Sequence, residues 1–205
     1  MKLKDLLDGV QYQLIQGDPE LEITSIAYDS RKAADGSLFV CLKGFETDGH
    51  QYIPQAVQAG AAALLVEEVP AELHDVTVVR VEDSRRALAL LSAAWFGHPA
   101  RRMTMIGLTG TKGKTTTAHM VKGILEEAGY KVGMIGTVGA FVGSERLPTK
   151  NTTPESYELH ALFAHMLEAG CQCVVMEVSS QALKPDRTAG NAFDYAASRT
   201  LPPDH

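Results

Sequence analysis

The chain is short of several things, and each shortage removes a class of function. Cysteine is scarce: the 205 residues hold three, Cys41, Cys171 and Cys173. An odd number without metal-ligand spacing argues against a disulfide framework or a thiolate metal site, so reduced thiols at a core or strand edge are expected. Long hydrophobic runs are also missing. The longest, Ala59 to Val66, is far too short to span a bilayer, and Met1-Lys2-Leu3-Lys4-Asp5 leads into polar residues instead of an apolar signal segment. The expectation is a cytoplasmic protein with no membrane partner. Basic clusters are lacking as well. The net charge is −6 and Lys and Arg are scattered, which leaves no electrostatic footprint for a nucleic-acid backbone. No repeat or low-complexity tract occurs.

What is present is enough apolar material, 45% of residues, to bury a core in one or two domains. The most telling stretch is Thr109-Gly110-Thr111-Lys112-Gly113-Lys114-Thr115-Thr116-Thr117, which follows an apolar run and opens a segment with helical spacing. Strand, Gly-rich turn and helix start would surround an anion with backbone N–H groups; Lys114 adds a point charge, and a Thr hydroxyl can reach magnesium. A nucleoside triphosphate is the expected ligand. Only two residues separate Gly110 from Gly113, where the standard phosphate loop has four before its Gly-Lys pair, and Leu108 stands where the first Gly would be. This short variant disfavours GTPases and motor ATPases.

Residues 23–28, 37–42, 61–66 and 76–81 read as strands, and 52–59 and 84–95 as helices, giving a small α/β domain over residues 1–99. In the second helix Ala87, Leu88, Leu91, Ala94 and Trp95 share a face, Asp83 is the expected N-cap, and Gly97 and Pro99 end it. Residues 98–102 mark the boundary. Over 100–205 the pattern runs strand (103–108), helix (115–128), strand (131–137), loop, helix (155–169), strand (173–178), implying a parallel sheet with crossover helices. Thr153 is the expected N-cap of the last helix, with Pro154 in its first turn. Ligands belong at the carboxyl ends of such strands. With three strands, the second sheet is expected to be short and to leave one edge bare.

Glu177 closes the apolar run Val174-Val175-Met176 beside the phosphate loop, where a magnesium ligand is needed; the plain alternative is a solvated strand-end Glu. Asn151-Thr152-Thr153-Pro154 suits an anionic or sugar-bearing substrate, and equally suits helix capping. Arg187 can pair a carboxylate or phosphate, or be a solvated charge. Tyr28-Asp29-Ser30-Arg31 and residues 43–50 are polar loops, as readily turns as binding residues, with His50 a helix-start residue.

Together these motifs resemble the Mur ligase family of ATP-dependent amide-bond-forming enzymes of peptidoglycan synthesis, over nearly the whole chain. Gly110-Thr-Lys-Gly113-Lys114-Thr115 is similar to the family's ATP loop. Asp29-Ser30-Arg31, Leu38-Phe39-Val40, Lys43-Gly44 and Asp48-Gly49-His50 look like its UDP-sugar domain. Asn151 to Pro154 with Glu177-Val178-Ser179-Ser180-Gln181 resembles the branch that adds a diamino acid, meso-diaminopimelate or L-lysine, to UDP-N-acetylmuramoyl-L-alanyl-D-glutamate. The resemblance implies an α/β chain: a UDP-sugar domain (1–99) and the first half of a parallel-sheet ATP domain (100–205). It implies a monomeric cytoplasmic ligase in cell-wall biogenesis, using ATP and Mg2+ through an acyl phosphate.

By the same resemblance, Lys114, Glu177 and His205 are the catalytic residues, and Gly110, Thr111, Lys112, Gly113, Lys114, Thr115 and Thr116 hold the ATP phosphates. Thr115, Glu177 and His205 hold magnesium. Ser30 contacts the UDP-sugar, while Asn151, Thr152, Thr153, Ser179 and Arg187 hold the sugar-peptide. Lys112 replaces the family's usual Asn, and residues 197–202 depart from its Phe-Thr-Asn-Leu-Ser. The carbamylated lysine and the domain for the incoming amino acid are not in this sequence, so an inactive N-terminal portion is expected. The competing expectations are another ligase of the superfamily or a non-catalytic module for ATP or UDP-sugar.

Overall fold

Short apolar runs alternating with amphipathic helices build two α/β units, Met1–Trp95 and Phe96–His205. The computed structural model describes residues 1–44, 47–72, 75–147, 154–179 and 193–199.

The first unit holds α1 (Leu3–Leu6), β1 (Gln13–Gln16), β2 (Ser25–Ala27), β3 (Ser37–Val40), α2 (Ile53–Gln58), β4 (Ala63–Val66), β5 (Thr77–Arg80) and α3 (Ser84–Trp95). Its sheet order is β1-β5-β4-β3-β2, with β1 antiparallel to β5 and the rest parallel. All residues of β3 and β4 are buried, as expected of central parallel strands covered on both faces. Ile53 and Ala56 of α2 pack with Phe39 and Leu64. In α3, Asp83 Oδ1 accepts from Arg86 N at 2.9 Å, as an N-cap should. Its buried arc is wider than the spacing suggests: Ala89, Ser92 and Ala93 are buried, whereas Ala94 and Trp95 are half-buried. The expected 52–59 helix is a 3-10 turn, Gly49–Tyr52, running into α2.

The second unit holds β6 (Thr104–Gly110), α4 (Lys114–Glu127), β7 (Val132–Gly136), β8 (Gly139–Val142), β9 (Glu145–Leu147), α5 (Ser156–Glu168), β10 (Cys173–Glu177) and β11 (Tyr195–Arg199). The order is β11-β6-β10-β7-β8-β9. The first four strands run parallel, and β8 and β9 add an antiparallel hairpin to β7. Phe163, Leu159 and Met166 of α5 meet Met105, Ile135, Val174 and Met176 in one cluster; Ala118 of α4 meets Leu108, Val132, Met134 and Val175 in another.

Two expectations are corrected here. The second sheet has six strands, not three, and its edges are β11 and β9. β9 is only three residues long and largely exposed, and Tyr195, Ala196, Ala197 and Ser198 of β11 are all exposed, so neither strand carries the apolar pattern that reveals a buried strand; β8 does hold a short apolar run, Ala140-Phe141-Val142, within the stretch expected to be loop. The cap of α5 is Glu155, whose side chain accepts from Ser156 N at 3.4 Å, and Pro154 precedes it. A carboxylate complements the positive end of the helix. Thr153 lies outside the described residues.

Candidate functional site

β6, β10 and β7 run parallel and end together at Gly110, Glu177 and Gly136. The chain passes from β6 over to β7 on the far side of β10, whereas β11 lies on the opposite side of β6. Connections leaving in opposite directions open a crevice at the carboxyl end of β6. The phosphate loop sits there. Gly113, the N-cap of α4, takes φ 82°, a left-handed conformation that a side chain would strain. Gly113 offers no side chain to cap α4, and the first turn of the helix holds no acidic residue. Its first N–H groups and the positive helix end are therefore turned toward the crevice. Lys114 Nζ donates to Gly110 O at 2.6 Å, which folds the ammonium back over the loop.

Glu177 is fully buried. Its Oε2 accepts from Thr115 Oγ1 at 3.0 Å and from Thr137 Oγ1 at 3.2 Å, and its Oε1 accepts from Thr137 N at 3.2 Å. Gly136 leaves the space that the carboxylate fills, since a Cβ there would collide with Glu177 Oε1. The alternative of a solvated strand-end Glu does not hold. Two hard oxygen donors, Thr115 and Glu177, beside an anion cradle fit Mg2+, which keeps water and phosphate oxygens in its other positions. Among the described residues no three His, Cys, Asp or Glu side chains gather as a metal site.

Thr111, Lys112 and Thr116 are exposed around the loop, and Ser179 is half-buried just beyond β10. Asn151, Thr152, Thr153, Arg187 and His205 lie outside the described residues. Gly136 and Thr137 do not stand out in the sequence; their place at the carboxyl end of a parallel strand is the signal that marks them.

The first unit has a cavity of about 580 Å³, of the size that holds small ligands, lined by Tyr28, Ser30, Arg31, Tyr52, Gln55 and Arg85 among others. Ser30 is 9% exposed and donates to Gln55 Oε1 at 2.8 Å. Asp29 Oδ1 accepts from Arg31 N at 3.0 Å, capping the 3-10 turn Ser30–Lys32 that carries Ser30. The Arg31 guanidinium beside Asp29 holds that carboxyl down at about 2. Gln55 and Arg85 are also silent in the sequence, because each comes from a helix whose apolar pattern alone draws notice. His50 plays a structural part. Its Nε2 accepts from Glu67 N at 3.1 Å, so Nδ1 carries the proton and donates to Asp48 Oδ1 at 2.6 Å. All three cysteines are free and buried, and burial, helped by Asp48, pushes the Cys41 thiol up to about 12.

Two family descriptions match this chain: "Mur ligase family, catalytic domain" over residues 22–96 and "Mur ligase middle domain" over residues 108–205. The chain belongs to the Mur ligase family. Among curated relatives, the UDP-N-acetylmuramoyl-L-alanyl-D-glutamate--2,6-diaminopimelate ligase of Clostridium perfringens (strain 13 / Type A) is 45% identical over 205 residues, all of this chain and 42% of that protein. The chain thus spans about two fifths of the length of the curated Mur ligases it matches. Its fold is shared with a solved UDP-N-acetylmuramoyl-L-alanyl-D-glutamate--2,6-diaminopimelate ligase, at a TM-score of 0.82 and 20% identity over 100% of this chain and 41% of the other. A MurF ligase from Thermotoga maritima, solved in complex with ADP, matches with a TM-score of 0.52 and 26% identity over 76% of this chain and 32% of the other.

Proposed function

We propose that this chain forms the UDP-sugar-binding and nucleotide-binding part of an ATP-dependent ligase that joins a diamino acid to UDP-N-acetylmuramoyl-L-alanyl-D-glutamate in peptidoglycan synthesis. The observation that carries the reading is the Thr115–Glu177 hydrogen bond, 3.0 Å, set beside the glycine-headed N-terminus of α4. The names of relatives at 40–45% identity supply the substrates, and favour 2,6-diaminopimelate over L-lysine as the incoming amino acid. The ADP complex of the MurF neighbour supports a nucleotide at the loop. The protein works in the cytoplasm as a monomer. In support of the first part, no helix among the described residues is long and apolar enough to cross a membrane.

A carboxylate is a poor electrophile. ATP therefore phosphorylates the D-glutamyl side-chain carboxylate, the amine of the diamino acid attacks the acyl phosphate through a tetrahedral intermediate, and phosphate leaves. The chain's own contribution is positioning and charge neutralisation. The N–H groups of residues 110–116 and the Lys114 ammonium cradle the phosphates, and Thr115 and Glu177 hold Mg2+. When bound, that ion neutralises charge on the phosphate oxygens. Ser30 and its cavity receive the UDP-sugar; Asn151, Thr152, Thr153, Ser179 and Arg187 orient the sugar-peptide, and His205 joins the magnesium site. Residues 1–99 and 100–205 form the two domains. Calorimetric titration with UDP-N-acetylmuramoyl-L-Ala-D-Glu tests the reading: binding is expected, and Ser30→Ala should weaken it about tenfold by removing one hydrogen-bonding hydroxyl. Absence of binding by the folded, unsubstituted chain contradicts it.

A further inference from the structure

Glu177 is buried at the end of β10, and it is held from two sides. From the phosphate loop comes the Thr115 hydroxyl, and from the turn after β7 come the N–H and the hydroxyl of Thr137. The contacts divide the work. The Thr137 N–H fixes Oε1 and its hydroxyl reaches Oε2, so both oxygens are pinned and the plane of the carboxylate is set. Oε2 is thereby aimed at Thr115, which gives its proton to Glu177 and leaves its own lone pairs outward.

The turn is built for this. Gly136 pairs with Gly139 across the antiparallel β7–β8 ladder, so Thr137 and Val138 form a two-residue hairpin turn between the strands. A Cβ at Gly136 would occupy the place of Glu177 Oε1. The hairpin therefore sets where the carboxylate rests, although it lies 40 residues away in the chain.

We propose that Thr137, supported by Gly136, is a positioning residue that sets the metal-binding state of the nucleotide site by orienting Glu177, so that Glu177 and Thr115 present their oxygens to the divalent cation that accompanies the nucleotide. The inference rests on the proposed nucleotide site. Thr137 acts through Glu177, whose carboxylate takes both its N–H and its hydroxyl. Partners that orient a metal-binding group in this way are worth about 10–100-fold in metal affinity.

The test is ATP binding to the 205-residue chain, measured by calorimetry with and without Mg2+, together with Mn2+ binding in the presence of ATP followed by the loss of free-ion electron paramagnetic resonance signal. Thr137→Val keeps the N–H and the shape but loses the hydroxyl. It should weaken Mn2+ binding at least about tenfold while metal-free ATP affinity and the melting temperature stay near those of the unsubstituted chain. Thr137→Ser should restore the metal affinity. Equal Mn2+ binding by Thr137→Val overturns the inference, and so does a parallel fall in metal-free ATP affinity and melting temperature, the mark of a merely structural role. Failure of the unsubstituted chain to bind ATP under either condition would overturn the nucleotide site itself, a result distinct from either of those.

Discussion

His160 of α5 is 1% exposed, and among the described residues neither of its ring nitrogens has a hydrogen-bond partner. Its ring meets Phe163 edge-on, with centroids 5.7 Å apart. Burial, with a smaller contribution from His98, pushes its pKa from 6.5 down to about 4. The folded protein thus keeps this imidazole neutral at a pH where the unfolded chain binds a proton. The resulting stability is fully present above pH 6.5 and is lost as the pH falls toward 4, by roughly 3 kcal/mol in all. Urea unfolding at pH 7 and pH 4.5 should show this loss, and His160→Leu should flatten most of it. An equal acid loss in both proteins would place the sensitivity elsewhere.

Among the elements, α5 joins the sheet of the second unit to its core. Phe163 is fully buried there among Leu159, Met166 and Met176. Phe163→Ala should cost about 3–5 kcal/mol in urea unfolding followed by circular dichroism, because surrounding side chains cannot fill the volume lost. A cost below about 1 kcal/mol would mean that the cluster is loosely packed. The elements readable from the sequence are those with strong local punctuation. α3 has Asp83 at its start and Gly97 after its end, and its expected bounds, 84–95, match the structure. The phosphate loop is equally plain, since its glycines and Lys114 act through local geometry. What the sequence hides depends on partners distant along the chain. β11 is defined by pairing with β6, and β9 by pairing with β8; neither has an apolar period of its own. Thr137 looks like any turn threonine until Glu177 arrives from β10.

Taken together, the chain offers two concave sites of different chemistry. The cavity of about 580 Å³ in the first unit combines tyrosines, arginines and a buried serine, suited to a nucleotide sugar. The crevice of the second unit combines helix N–H groups, an ammonium and a buried carboxylate, suited to a metal-bound triphosphate. If each ligand has its own site, a loop substitution should separate them. The decisive measurement is calorimetric titration of the chain and of Lys114→Ala with Mg-ATP and, separately, with UDP-N-acetylmuramoyl-L-Ala-D-Glu. The unsubstituted chain should bind both ligands. Lys114→Ala should lose roughly a hundredfold in Mg-ATP affinity, the worth of one strong charge-assisted contact, with the sugar-peptide affinity unchanged. Equal loss of both ligands in a folded variant would contradict the assignment of the two sites.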